Sequence, residues 1–425
     1  MSRSVLYITY NGICNNTNGI GRQTKTLLSL LQNRYESILE HVGPVTFNFA
    51  FPAPTHRTLA YSQADLDWAR DIIERRGGRL YRLPHDEDSS LWSPEAWRQL
   101  SESAARLCVK LTAQYDQTLA IAVDTPFAGV GREVHLLREG SRIDGLDIMQ
   151  VLYSTDRIRG TRPTPGRLEW ERDCIDYVNR GDHARLADIG SFMTRHLREE
   201  YRADPARFMP FRSSLDLMSD DLRPMKREDA LEIARRWEVP LDRPIVLSFG
   251  RADPIKGVDL LIRSLAELRE DVHLVVILVP YSYSQPLLEG YRRQISDLRI
   301  RATFVPQFTR ELPKALSSLD ETRVVVCSAR GEPLSNVPFE VAMWAQHGGP
   351  VVVAPAHDGF VEQIADGRTG FLYEPEAENA LTEAIRRSLN LSKTRIAEIR
   401  EAAAEHVRRD RDILPNLITS LQYPW

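Results

Sequence analysis

Lysine is scarce in this 425-residue chain: of 55 basic residues only six are Lys. The Arg excess reads as the codon bias of a GC-rich genome, because 59 acidic residues leave a formal net charge of −4. That balance excludes a nucleic-acid binder working by bulk electrostatics and a polybasic membrane-surface protein. Cysteine is also sparse. Cys14, Cys108, Cys174 and Cys327 are scattered without a C-x-x-C pair, which argues against a disulfide framework and a zinc site and fits a reducing, cytoplasmic setting. No apolar run approaches the roughly 18 residues of a membrane span. The apolar start near Val5 is short and enters a Gly/Asn loop, so no signal peptide is expected. The ten histidines show no paired metal spacing. Two D-x-D strings, Asp65-Leu66-Asp67 and Asp410-Arg411-Asp412, fall in helical polar stretches and read as solvated faces rather than metal sites. His196, in the helical stretch Phe192–Tyr201, reads as a partly exposed surface residue.

What is present is an ordinary globular composition, 42% hydrophobic and 27% charged. At about 150 residues per domain the length points to two or three domains. No solenoid repeat and no low-complexity segment interrupts it. Short apolar runs alternate with longer amphipathic stretches, the rhythm of βα units around a parallel sheet. Candidate strands in the first half are Val5–Tyr10, Val45–Phe51, Arg79–Leu83, Leu119–Val123, Ile148–Tyr153, Ala187–Ser191 and Phe208–Phe211. Those in the second half are Ile245–Phe249, Leu274–Val279, Ala302–Val305, Val324–Cys327, Val351–Ala354 and Gly370–Leu372. The unbroken runs VVILV and PVVVA suit strands buried on both faces. Helical stretches include Gln23–Leu31, Ser62–Arg76 and Ser93–Gln114, and Trp68, Trp97, Trp170, Trp237 and Trp344 read as packing residues.

The polar, aperiodic Leu217–Glu228 suits an interdomain linker. The final helical stretch, Ile396–Leu421, is expected to break at Leu414-Pro415. The expectation is therefore an α/β protein of two doubly wound, Rossmann-like domains facing a cleft: 1–216, 217–405, and a C-terminal helix, 406–425, that crosses back to the first. Ligands in such folds sit at the carboxyl ends of the strands.

Three motifs occupy such positions. Asn18-Gly19-Ile20-Gly21-Arg22 precedes a helix, whose N-terminal amides and dipole suit a phosphate. The plain alternative is a strand-to-helix turn; as a dinucleotide fingerprint it lacks the third glycine, Thr24 standing there. Arg251-Ala252-Asp253-Pro254-Ile255-Lys256-Gly257 follows a strand, and its two cations could clamp a diphosphate, Arg as a planar fork and Lys as a point charge. Gly331-Glu332-Pro333-Leu334-Ser335-Asn336-Val337-Pro338-Phe339-Glu340 carries two carboxylates around the start of a helix near Asn336 or Val337, with Pro338 in its first turn. Carboxylates suit sugar hydroxyls because each offers two acceptor oxygens; a capping role explains Glu340 but not Glu332.

Over roughly Pro244 to Tyr373 the chain resembles the family 4 retaining glycosyltransferases, which have the GT-B fold. The resemblance is carried by GRADPIKGVDLLIRSL, CSARGEPLSNVPFEVAMWA and GGPVVVAPAHDGFVEQIADGRTGFLY, in that order and spacing, with weaker support from NGIGR and ADIGSFMTRHLREEY. It implies that Arg251 and Lys256 neutralise the donor diphosphate, that Glu332 binds hydroxyls of the transferred sugar and Glu340 the nucleotide ribose. Backbone amides at Leu334, Ser335, Asn336 and Val337 would hold the distal phosphate, with Gly19 and Gly21 approaching it from the first domain. The base, UDP or GDP, would be set partly near Val305, Gln307 and Arg330. The family often has a His after the middle N-terminal strand; here the stretch reads Tyr153-Ser154-Thr155-Asp156-Arg157, so Ser154 or Asp156 takes its place or the role is missing.

The resemblance further implies transfer with retention from a nucleoside-diphosphate sugar to a small-molecule acceptor, with no metal and no other cofactor. The third block is similar in style to enzymes of actinobacterial small-molecule pathways, among them sugar-antibiotic assembly such as the lincomycin-pathway thiol glycosyltransferases; thiol or disaccharide synthesis is another option, and oligomeric state stays open. Two other classes compete. A non-catalytic GT-B scaffold would be favoured by loss of Glu332 or Lys256, and both are present. An NAD-dependent dehydrogenase needs the complete glycine fingerprint that is missing.

Overall fold

The apolar runs of the sequence become two parallel sheets, each the centre of its own compact unit. The computed structural model describes residues 2–15, 18–52, 61–85, 91–137, 143–158, 163–181, 183–268, 270–281 and 283–423. Residues 1–219 with 411–425 form the first unit and 220–410 the second.

The first unit holds strands β1 (Arg3–Ile8), β2 (Thr46–Pro52), β3 (Leu80–Leu83), β4 (Gln117–Val123), β5 (Leu146–Val151), β6 (Ala184–Asp188) and β7 (Phe208–Pro210). They pair in parallel in the order β3-β2-β1-β4-β5-β6-β7. The second unit holds β8 (Ile245–Arg251), β9 (His273–Val279), β10 (Ala302–Val305), β11 (Thr322–Val326), β12 (Val351–Pro355) and β13 (Phe371–Tyr373), ordered β10-β9-β8-β11-β12-β13, again all parallel. Strand order reverses between β1 and β4 and between β8 and β11, the switch points at which a crevice opens beyond the carboxyl ends. The fold is thus α/β, GT-B in type, with two Rossmann-like units. Because helices cover both faces, the central strands are apolar without alternation: Val5, Leu6, Tyr7 and Ile8 of β1 and Val246 and Leu247 of β8 are buried.

Several boundaries differ from the sequence reading, each for a local reason. The helix expected over Gln23–Leu31 runs from Gly19 to Val42, with Arg34 out of helical geometry at φ −137° and ψ 26°. The strand expected at Ala187–Ser191 lies at Ala184–Asp188, since Ser191 already begins the next helix, Ser191–Tyr201. The C-terminal break falls at Arg411-Asp412 rather than at Leu414-Pro415. Helix Lys393–Asp410 ends there, and helix Ile413–Gln422 starts under the Asp412 side chain, which accepts from the Leu414 N–H. Pro415 sits in its first turn, where a missing N–H costs nothing. Among the described residues no helix is long and apolar enough to cross a membrane.

Candidate active site

In the second unit the loops after β8, β11 and β12 are knitted together by backbone approach. After Arg251 the chain makes a single 3-10 turn, Pro254–Lys256, started by Asp253 Oδ1 accepting from the Ile255 N–H at 3.1 Å. Gly257 follows at φ +61°, and a Cβ there would lie 2.0 Å from the Ser328 carbonyl oxygen. Only glycine permits both the left-handed backbone and that contact. Arg330 fixes the same turn. Its N–H donates to Ile255 O at 2.7 Å, and its guanidinium donates to Pro254 O at 2.8 Å and to both Asp259 oxygens at 2.9 and 2.6 Å. Such a two-pronged pair fixes geometry as well as charge. Burial raises the Asp259 pKa, but Arg330 and Arg263 together outweigh it and the net shift is downward.

This turn brings Lys256 Nζ onto Glu332 Oε2 in a direct ion pair. Arg251, at the end of β8, lies 3.7 Å from Asp253 Oδ2. Burial alone would lower the pKa of its guanidinium, but the Tyr281 hydroxyl, Asp253 and Glu332 together raise it. Arg251, Lys256 and Glu332, separated widely in sequence, are therefore electrostatically coupled at the carboxyl ends of β8 and β11. Glu332 is held from behind by the loop after β12. Its N–H donates to Asp358 Oδ2 at 3.0 Å and its carbonyl accepts from the Gly359 N–H at 3.0 Å. A Cβ on Gly359 would lie 2.0 Å from Pro333 O, and Asp358 takes φ +51°.

The helix expected near Asn336 or Val337 runs from Val337 to Trp344, with Asn336 as its cap residue and Pro338 in the first turn. Glu340 is half-buried one turn in. Two of the amides expected to face a phosphate already have acceptors: Ser335 N–H donates to Gln363 Oε1 at 3.1 Å, and Val337 N–H to Ser335 Oγ at 3.3 Å. Gln363 also donates to the Ser335 carbonyl, so it fixes the loop that carries Leu334 and Asn336. Val305 is 4% exposed and packs in the core; Gln307 is exposed. Beside Gln307, Phe308 is exposed under the Arg310 guanidinium, 5.8 Å from its ring centre. Past the end of β9, Tyr281 and Tyr283 stack at 5.4 Å, an aromatic pair the sequence reading passed over.

In the first unit, Asn18 Oδ1 accepts from Gly21 N–H at 3.1 Å, so the helix cap is supplied by the chain itself. Gly21 is buried and Gly19 exposed. The close approach here involves a glycine not singled out from sequence. Gly12, at φ +99°, faces the helix so tightly that a Cβ would lie 2.5 Å from Thr24 Cβ and 2.6 Å from Gly21 O. Residues 16 and 17 of this loop lie outside the described residues.

Asp156 is turned toward its own loop: its N–H donates to Glu171 Oε2 at 2.9 Å and its Oδ1 accepts from Thr164 N–H at 3.4 Å. Ser154 instead receives the Arg167 guanidinium at 2.9 Å. Both belong to a buried polar network that the sequence reading missed. Arg167 Nε donates to Glu171 Oε1 at 2.6 Å and Tyr201 hydroxyl to Glu171 Oε2 at 2.7 Å. Asp124, at the end of β4 with φ +68°, accepts from Tyr10 hydroxyl at 3.2 Å and from Tyr153 N–H at 3.3 Å. Burial pushes its pKa up to about 6; Arg167 opposes the rise and the Glu171 charge adds to it. The available signal was an acid directly after an unbroken apolar strand.

Two expectations are corrected. His196 is buried, sharing a 2.8 Å hydrogen bond with Thr155 Oγ1 and stacking on Phe192 at 5.7 Å, because its helix packs that face inward. The D-x-D strings are not simple solvated faces. Arg411 is 3% exposed and donates to Ser213 O at 3.4 Å, Asp412 pairs with Arg34 at 2.6 Å, and Asp65 pairs with the buried Lys25 at 2.6 Å.

The chain is similar to known proteins in sequence and in fold. Residues 229–406 match the family described as Glycosyl transferases group 1. The chain is 30% identical to the D-inositol 3-phosphate glycosyltransferase of Corynebacterium aurimucosum over 284 residues, 64% of each protein. It is 32% identical over 149 residues to the GDP-mannose-dependent alpha-(1-6)-phosphatidylinositol monomannoside mannosyltransferase of Mycolicibacterium smegmatis, covering 34% of this chain and 38% of that one. The matched part thus spans 38% to 64% of these relatives' length. Among solved structures, the sucrose-phosphate synthase of Thermosynechococcus elongatus superposes with a TM-score of 0.72 at 18% identity, over 98% of this chain and 96% of that one. Anabaena HepE, solved with UDP and glucose, superposes with a TM-score of 0.68 at 16% identity, over 97% and 96%. Residues 229–406, which contain Arg251, Lys256, Glu332 and Glu340, are thus the part of the chain that is similar to the group 1 glycosyltransferases.

Proposed function

We propose that the protein transfers a sugar from a nucleoside-diphosphate sugar to a small-molecule acceptor, with retention at the anomeric carbon and without a metal. The observation that carries this reading is the convergence of Arg251, Lys256 and Glu332 at the carboxyl ends of β8 and β11. The second unit would hold the donor and the first the acceptor. As the bond from the anomeric carbon to the diphosphate breaks, charge grows on the leaving oxygens while the sugar takes on oxocarbenium character. Arg251 and Lys256 would stabilise that charge, since fixed cations act most strongly where charge develops. Lys256 would exchange Glu332 for phosphate, freeing the carboxylate to accept from sugar hydroxyls. The acceptor hydroxyl attacks on the face the diphosphate leaves, and its proton passes to a phosphate oxygen, so no enzymic nucleophile is consumed.

The nucleotide stays UDP or GDP: one relative is named for GDP-mannose and one structural neighbour was solved with UDP. Relatives named for inositol phosphates and phosphatidylinositol mannosides set cyclitol-type acceptors beside the natural-product acceptors suggested by the sequence. The test is a turnover assay in chelator with UDP- and GDP-sugars, with the product's anomeric configuration read by NMR. Retained configuration and chelator-resistant turnover support the reading; inversion or strict metal dependence overturns it.

A further inference from the structure

Two consecutive residues of the loop after β12 take both backbone polar groups of Glu332. Asp358 Oδ2 accepts from the Glu332 N–H at 3.0 Å, and the Gly359 N–H donates to the Glu332 carbonyl at 3.0 Å. Asp358 stands at φ +51° in doing so. Aspartate tolerates that left-handed region better than most residues, yet such a conformation persists only where its surroundings impose it. The Asp358 side chain is 15% exposed, and the same Oδ2 lies 3.2 Å from His357 Nδ1. The His357 ring meets the buried Phe360 edge-on at 6.5 Å, which pins the imidazole beside the carboxylate. Further along the same segment, Gln363 takes both backbone groups of Ser335. The loop after β11 is thus fastened at two separate points, one at Glu332 and one at Ser335.

The ion pair with Lys256 cannot hold Glu332 in place for a donor. In the proposed reaction Lys256 leaves the carboxylate for a phosphate, and its charge rides on a flexible four-carbon stem. A group that lost its only restraint at that moment would have to be ordered again by the sugar, and such ordering weakens binding. Asp358 and Gly359 grip the backbone from which the Glu332 carboxylate projects. Their grip does not depend on where Lys256 goes.

We propose that Asp358 is a positioning residue for the transferred sugar: it fixes the Glu332 backbone so that the carboxylate stays at the sugar subsite when Lys256 turns to the diphosphate. Glu332 is then the fixed member of the ion pair and Lys256 the moving one. The proposal rests on the glycosyltransferase reading and adds to it a residue outside the two carboxylates and two cations of the donor site.

The test is calorimetric titration of UDP, UDP-glucose, GDP and GDP-mannose into wild type, Asp358→Asn and Asp358→Gly. Both substitutions remove the charge. Asparagine keeps an oxygen for the Glu332 N–H and tolerates the positive φ, whereas glycine suits the backbone but leaves that N–H without its acceptor. The quantity read is the affinity for a nucleotide sugar relative to its bare nucleotide. Asp358→Asn should keep the wild-type ratio, and Asp358→Gly should lower it about tenfold. Affinity for the bare nucleotide should hold in both, because Gln363 still fixes Ser335 and neither cation is touched. A merely structural role would weaken both ligands alike. An unchanged ratio in Asp358→Gly, an equal fall in both variants, or a wild type that binds a nucleotide but neither nucleotide sugar overturns the inference and leaves nucleotide binding standing. A wild type that binds none of the four removes the glycosyltransferase reading, and the inference falls with it. Should Asp358→Gly fail to fold, Asp358→Asn decides alone: a kept ratio supports the inference and a lowered one overturns it, since the acceptor oxygen is still present.

Discussion

Lys256 and Glu332 neutralise one another across the mouth of the second sheet, with Nζ on Oε2. Each is expected to serve a different part of the donor, the cation a phosphate and the carboxylate a sugar. Donor binding therefore has to separate them, and the two substitutions should have opposite effects on nucleotide affinity. Lys256→Ala removes a charge-assisted contact and should weaken nucleoside-diphosphate binding by about 1–3 kcal/mol. Glu332→Gln frees the lysine, so nucleotide affinity should hold or rise while turnover falls about tenfold or more. Calorimetry with steady-state kinetics reads both, and an unchanged turnover in Glu332→Gln would remove its sugar-binding role.

Gly257 is the hinge of the same turn, at φ +61° with no room for a side chain against Ser328 O. Gly257→Ala combines backbone strain with a steric clash, and a cost of about 1–3 kcal/mol is expected. Because the turn carries Lys256, nucleotide binding should weaken along with stability. Chemical denaturation and calorimetry on the same preparation check this; full nucleotide affinity would show that the turn does not set the lysine.

Arg34 ties the C-terminal helix to the first unit. It reaches Asp216 at 3.0 Å and Asp412 at 2.6 Å, beside the bridge between Leu215 and Asp412. Asp216 is 2% exposed, and a buried charge stripped of its partner is costly. Ser29 and Asn33 still donate to Asp216, at 2.6 and 3.2 Å, so Arg34→Met should cost about 2 kcal/mol rather than the full penalty of an orphaned charge. Urea denaturation reads it, and wild-type stability would mean that the network is dispensable.

Asp124 makes stability depend on pH in a direction opposite to most carboxylates. Its pKa is pushed up to about 6 by burial, Glu171 adding to the rise against Arg167, so between pH ~4 and ~6 the folded state holds a proton that the unfolded state has lost. Stability from this residue is therefore complete below the unfolded pKa and declines as pH rises through the folded one. The difference in unfolding free energy between wild type and Asp124→Asn should fall by on the order of 3 kcal/mol over that window. A difference that stays flat with pH would contradict a protonated Asp124.

The parallel strands were readable because burial on both faces leaves unbroken apolar runs, and VVILV and PVVVA mark β9 and β12 without competition. Arg251, Lys256 and Glu332 stood out as candidates because each sits just past such a run, but the ion pair between Lys256 and Glu332 was not readable. What escaped were contacts whose partners lie far apart. Nothing local to Asp124, Arg167 and Glu171 marks them as one network; only the topology that sets β4 beside β5 brings them together. His196 and Asp412 were misjudged for the same reason: a polar residue in a helical stretch reads as solvated until its buried partner is known. Pro415 misplaced a helix break because proline is tolerated in a first turn as well as after a last one.

The most direct test of the account is calorimetric titration of wild type and Lys256→Ala with UDP and GDP side by side, in chelator. A diphosphate clamp built on Lys256 predicts micromolar binding of one nucleotide by the wild type, weakened roughly tenfold or more by the substitution. Binding of neither nucleotide, or binding that survives Lys256→Ala intact, would contradict the diphosphate clamp on which the proposed function stands.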